Sequence, residues 1–252
     1  MNGIIHQSLV LSNRKRRIAA LLIDHVIMVF LMVSITFVAL GPDFINEDDP
    51  GRMTGVMLWV MIPGFILYFS KDSINGISAG RWIMGIMVRE DQDANSVPSF
   101  GKLFLRNIFL VIWPVELIVL AASSDKKRIG DKVSKTVVLK NPDKPKRLAR
   151  IMVLVGIALV IFLCAYLLAG SAMKNSDAYK VAVKHIEADK EILEETGGIV
   201  GYRMMPAGNI NIRNRYGEAR LQIKVLGKKK DVTVSATLEK EPGGEWKLIE
   251  MD

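Results

Sequence analysis

Charged side chains placed where the chain is otherwise apolar are the residues most able to do chemistry here. Arg17 and Asp24 flank and interrupt the run Ile18 to Leu40, and Arg106 and Glu116 lie inside Leu103 to Ala122. Arg17 and Asp24 are two helical turns apart, so they share one helix face at about 10 Å along the axis. At membrane depth an ionised carboxylate costs several kcal/mol unless it is paired or hydrated. Asp24 therefore needs a partner, and Arg106 and the basic residues around Asp131 are the candidates. His25 is adjacent but points about 100° away on a helix. Two chemistries follow. Asp24 forms a salt bridge or hydrogen bond that docks helices, or it is an ion or proton site that titrates as it is exposed and buried. Glu116 divides in the same way.

Other constellations are absent from the sequence. The single cysteine, Cys164, sits in an apolar run and excludes an intrachain disulfide. His6, His25 and His185 match no metal-ligand spacing. Ser235 and His185 are the nucleophile and base types worth naming in the last third, and nothing places them together. No cofactor, no metal and no enzymatic activity are expected.

The elements that position these residues are membrane helices. A helix needs roughly 20 apolar residues to cross about 30 Å of hydrocarbon. Ile18 to Leu40 meets that length and lacks a small-x-small cleavage site, so it reads as a retained signal-anchor helix. Arg14 to Arg17 set its start in the cytoplasm. The loop Gly41 to Met53 carries Asp43, Glu47, Asp48 and Asp49 against Arg52, which suits the outside. Thr54 to Ser70 returns, with Pro63-Gly64 predicting a kink. Gly76 to Val88 reads as a short helix at the inner surface with Arg81 facing head groups.

Leu103 to Ala122 is long enough to span, yet spanning would put the next basic stretch outside. From Asp125 to Arg150 the chain holds ten Lys/Arg against three Asp. A break at Trp113-Pro114 allows two half-helices that enter and leave on one side, and this re-entrant hairpin is the expectation, a full span the alternative. Ile151 to Gly170 is uncharged and would then carry the remainder of the chain outside. The formal net charge of +8 concentrates beside these runs, where it meets lipid head groups. That location argues against nucleic-acid binding.

After Ser171 the composition becomes mixed. Ser176 to Thr196 has helical spacing of Ala178, Val181, Ala182, Ile186 and Leu193. Alternation around Ile210, Leu221 to Val225, Val232 to Leu238 and Trp246 to Leu248 predicts four or five strands. Gly217, Gly227 to Asp231 and Pro242 to Gly244 are expected turns. The fold class is thus a membrane all-α region, with three spanning helices and the hairpin, followed by a small α+β domain of one helix on an antiparallel sheet. Its divisions are 1–140, a basic linker and last transmembrane helix over 141–170, and 171–252.

Residues 14–140 resemble the RDD family of membrane proteins, named for an arginine and two aspartates. The resemblance rests on Arg16-Arg17-Ile-Ala-Ala-Leu-Leu-Ile-Asp24, Gly76 to Val88, Arg106-Asn107 and Lys127-Arg128-Ile-Gly-Asp131 through Leu139. It implies that Arg17, Asp24 and Asp131 are the signature positions. Ser134-Lys135 departs from the small pair usual before the threonine. The tail is similar to the cytochrome c oxidase assembly protein 1 family in its Gly197-Gly198 break, the run Gly217 to Gly227 and the closing Gly244 to Ile249. That similarity implies a protein-binding domain that aids assembly of a membrane complex. Together these readings place the chain in the cell membrane with a cytoplasmic N-terminus. Lipid surrounds it, and a protein partner meets 171–252 outside; a second copy of the chain is a further candidate partner. Transport of an ion or solute through Asp24 is the alternative.

Overall fold

The computed structural model describes residues 10–40, 50–213 and 215–252. The acidic residues of the expected outer loop, and His6, lie outside the described residues. The chain divides into two compact units, with boundaries at Ile35/Thr36, Met57/Leu58 and Ile161/Phe162.

Four helical stretches are long and apolar enough to cross a membrane: Arg14–Leu40, Gly51–Phe69, Phe100–Ala122 and Arg147–Asn175. The first is one helix, α1 (Arg14–Leu40), and the second belongs to α2 (Pro50–Phe69). Pro63 lies inside α2, where it removes one backbone hydrogen bond. Leu21 and Met28 of α1 pack with Tyr68 of α2 and with Leu110. The remaining faces are apolar and uncovered: Trp59 is 82% and Phe162 71% exposed. Surfaces of that kind are stable in lipid rather than in water.

Gly76 to Val88 is not the single surface helix expected. Ser78 caps a short helix, α3 (Ala79–Met84), and Gly85 ends it in the left-handed conformation at φ 65°. The chain then extends into β1 (Ile86–Glu90). β1 pairs antiparallel with β2 (Thr136–Lys140), Val88 opposite Val138. Leu11, just before α1, bridges to Leu139. The membrane region is therefore not all-α, because a left-handed glycine converts helical into extended chain between two apolar segments.

The third apolar stretch is broken. It comprises α4 (Phe100–Ile108), a 3-10 turn (Phe109–Ile112) and α5 (Trp113–Ala122). The break falls at Ile112, φ −103° and ψ 44°, one residue before the expected position, and Pro114 sits in the first turn of α5, where proline is tolerated. One end ties to β1 and the other to the first residue of α1. Lys102 lies 2.8 Å from Glu90 at the end of β1, and the Ser123 carbonyl accepts from Arg14 at 2.5 Å. Between β2 and α5 lies α6 (Ile129–Val133). The last apolar helix, α7 (Arg147–Asn175), is uninterrupted.

In the second unit the expected helix Ser176 to Thr196 is two helices, α8 (Asp177–Ala188) and α9 (Lys190–Thr196), because Asp189 turns extended and caps α9. They accompany a five-stranded antiparallel sheet, β3 (Ile199–Tyr202), β4 (Ala207–Arg213), β5 (Tyr216–Gly227), β6 (Val232–Lys240) and β7 (Trp246–Met251). The order is β3-β5-β6-β7, with β4 also on β5. Ala178, Ala182 and Ile186 of α8 pack on Leu221, Ile223, Val225 and Leu238, and Met173 at the end of α7 joins that core. Gly217 is not a turn but lies within β5, paired with Ile212 and covered by the Trp246 ring.

Gly80 is where α3 meets α1. A Cβ there would stand 2.2 Å from the Ala20 carbonyl oxygen, and backbone cannot yield as a flexible side chain does. Gly80→Ala should lower the melting temperature in detergent, with an overpacking cost of about 1–3 kcal/mol. Gly101→Ala, where a Cβ meets nothing within 4 Å, should leave it unchanged.

Candidate functional site

Asp131 is the centre of the buried polar cluster. It occupies the first turn of α6 and is fully buried. Its carboxylate accepts from its own turn, the Arg128 backbone N–H, at 3.2 Å. Three guanidiniums converge on it: Arg17 of α1 in direct contact, Arg106 of α4 at 2.7 Å and Arg128 at 3.4 Å. Burial alone would raise the Asp131 carboxyl, but Arg106, Arg17 and Arg128 together hold it well below the usual carboxylate range.

Arg106 spans two carboxylates. Its Nε donates to Asp131 and its Nη1 donates to Asp72 at 2.9 Å. Asp72, just past the end of α2, also pairs with Arg81 of α3 and accepts from Asn107 at 2.8 Å. Asn107 donates to the Phe69 carbonyl and accepts from Arg128 at 2.8 Å, so every polar atom of its amide is used. Arg17 also donates to the Lys126 carbonyl. This lattice joins α1, the end of α2, α3, α4 and α6.

Glu116 of α5 does a related task by other means. Its two oxygens accept from the Ile129 and Gly130 backbone N–H groups at 2.8 and 3.0 Å, the unsatisfied donors at the start of α6. Gly130 lies against both halves of the broken segment. A Cβ there would be 2.1 Å from the Arg106 carbonyl oxygen and 3.1 Å from Glu116. A straight helix would separate residues 106 and 116 by about 15 Å of rise. The bend at Ile112 is what brings both to one glycine.

Asp24 belongs to a neighbouring but distinct set. Its partner is neither Arg106 nor a residue near Asp131, as the sequence suggested. It accepts from the Ser78 hydroxyl at 2.6 Å and the Gly80 N–H at 2.7 Å, and pairs with Lys71 at 3.1 Å. Ser78 thus caps α3 and binds α1 with one hydroxyl. Lys71 also lies 4.4 Å over the Tyr68 ring. Burial, with the nearby charges of Arg81 and Arg128, lowers the Lys71 amine to about 7 against the opposing pull of Asp24.

Of the residues singled out from sequence, Arg17, Arg106 and Asp131 meet directly, Glu116 holds the same α6 turn, and Asp24 stands apart with Lys71. Arg81 is buried and paired rather than turned to head groups. Asp72 was not anticipated. An aspartate just past an apolar run reads as solvated, and only its adjacency to Lys71 hinted otherwise. His25 sits 3.3 Å from the Tyr68 hydroxyl and beside Trp113. Ser235 and His185 are both exposed.

Asp131→Asn leaves three guanidiniums that cannot discharge without their shared carboxylate. It should cost about 3–5 kcal/mol, read as unfolding in mixed micelles. Asp24→Asn should cost less, because Lys71 can release its proton. The pH dependence has a definite sign. Between about 7 and 10.5 the unfolded chain keeps the Lys71 proton and the folded protein does not, so stability rises with pH across that window. Lys71→Met should remove that rise from melting curves taken at pH 7 to 10.

Comparison with known proteins adds one finding. The model of the RDD family matches residues 11–177, reaching from the segment before α1 through the whole of α7. No curated protein and no solved structure matches the chain.

Proposed function

This chain belongs to the RDD family, and from that premise we propose that it is a non-enzymatic, multi-pass protein of the cell membrane whose domain 171–252 binds a protein partner outside the cytoplasm. One observation carries the reading. Asp24, the acidic residue within the first apolar run, is ligated entirely by protein groups, Ser78, Gly80 and Lys71. A carboxylate so held is a strut between α1 and α3. The membrane region then serves as anchor, and recognition falls to the tail.

The bend in the third apolar stretch supports the topology. One end bonds to Arg14 at the basic start of α1 and the other to β1, whose partner β2 bridges to the segment before α1; this favours re-entry, with the ten basic residues from Asp125 to Arg150 inside. α7 is uncharged from Ile151 to Ala172 and would carry the tail across. The tail offers a sheet margin at β7, beyond its pairing with β6, and exposed Val200 and Ile249. Such margins recruit extended peptides by strand addition. The similarity to cytochrome c oxidase assembly proteins points the same way, to a domain that helps a membrane complex assemble. Transport through Asp24 is the competing reading, and the near-neutral Lys71 beside it is what favours that alternative.

The test uses Lys229→Cys, at the β5–β6 turn, in a chain with Cys164→Ser. A membrane-impermeant maleimide should label it on intact cells. A photo-crosslinker at Ile249 should give one discrete protein adduct, and vesicles should show no gradient-driven flux that Asp24→Asn abolishes. Labelling only after lysis, or loss of flux in a folded Asp24→Asn protein, would overturn the proposal.

A further inference from the structure

The last membrane helix and the domain after it are not joined by a tether. α7 runs without interruption to Asn175, and Met173 near its end packs into the core of the second unit. Ser176 caps α8 directly afterwards. The turn between β3 and β4 then reaches back along α7. Lys174 donates from Nζ to the Tyr202 carbonyl at 3.4 Å. One turn earlier Gly170 is buried, although Ala169 and Ser171 on either side are exposed. The β3–β4 turn lies against it: a Cβ at Gly170 would stand 3.2 Å from the Met204 carbonyl oxygen and 3.4 Å from Met205 Sδ.

The depth of that contact follows from α7 itself. The helix carries no charge between Arg150 and Lys174. Counted from Ile151, Gly170 lies about 28 Å along the axis. The hydrocarbon core is about 30 Å thick. Gly170 therefore stands at the boundary between acyl chains and head groups, and so does what rests on it. Met204 is 51% exposed there. A lone exposed methionine is ordinary on a domain in water; this one differs in its depth. Arg203 beside it is exposed, and its backbone N–H donates to the Lys224 carbonyl. Pro206, which closes the turn, has no N–H for lipid to leave unsatisfied.

We propose that the β3–β4 turn is a lipid-contacting foot. Met204 enters the acyl-chain boundary of the leaflet through which α7 leaves, and Arg203 and Lys174 meet phospholipid head groups. Seated in this way the domain cannot swing on its helix. The seat also fixes β7, three strand spacings or about 14 Å across the sheet from β3. The inference rests on α7 crossing the membrane, and not on the side where the tail emerges or on what the tail binds.

The test places a nitroxide label at Met204→Cys in the full chain carrying Cys164→Ser, in vesicles of phosphatidylcholine and phosphatidylglycerol. Oxygen concentrates in acyl chains and a nickel chelate stays in water, so collisions with each report what surrounds the label. Leu163→Cys, on an exposed face of α7, is the lipid reference, and Lys229→Cys is the water reference. The label at 204 should favour oxygen, as at 163, and the label at 229 should favour nickel. A preference for nickel at 204 overturns the proposal. So does a label that neither reagent reaches, which would mean that protein covers the turn. A second measurement needs no substitution. A water-soluble, membrane-impermeant chloramine should oxidise Met204 more slowly than Met251, which is the less exposed of the two and belongs to the same domain. Oxidation of Met204 at or above the rate of Met251 overturns the proposal as well.

Discussion

A carboxylate placed out of reach of water must be matched by cations that are equally out of reach, and the pairing of Asp131 with Arg17, Arg106 and Arg128 imposes that match on the first unit. Each partner arrives on a different element: α1, α4 and the start of α6. None of the four can be satisfied alone once buried, so each element is held where the others need it. Hydrophobic contact cannot supply this specificity between helices, because lipid tails are as apolar as the helices themselves.

Around that centre the second pair, Asp24 and Lys71, does a softer task. Arginine keeps its charge, so the Asp131 set resists change. Lysine does not, and Lys71 stands near its neutral point. The unit thus combines a rigid charge lattice with one adjustable pair, and both are built on short non-helical pieces. Gly80 and Gly130 let α3 and α6 approach the backbone of α1 and α4 closely enough for Ser78, Gly80 N–H and Asp131 to reach their partners.

Much of this was legible in the sequence, for reasons that differ by residue. The apolar runs announced α1, α2 and α7 because length and absence of charge have few other meanings. Trp113-Pro114 announced the broken segment to within one residue. Alternation announced β4 to β7. What could not be read was pairing across distance. Asp24 and Asp131 look alike in sequence, and only the fold sends one to Lys71 and the other to arginines. The β1–β2 ladder was hidden because Met87 and Val88 sit in a glycine-punctuated run whose left-handed turn at Gly85 has no signature beyond the glycine itself. Asp189 concealed the division of α8 from α9, since an aspartate in a charged helix face is unremarkable until its side chain turns to cap the next helix.

The central claim is that Arg106 and Asp131 act as one unit inside the membrane region. A double-mutant cycle on Arg106→Met and Asp131→Asn, with unfolding free energies measured in bicelles, addresses it directly. The account predicts a coupling energy of about 1–3 kcal/mol, the range expected of residues sharing one buried network. Additive losses, with coupling near zero, would mean that the two side chains do not depend on one another and that something else holds the helices together.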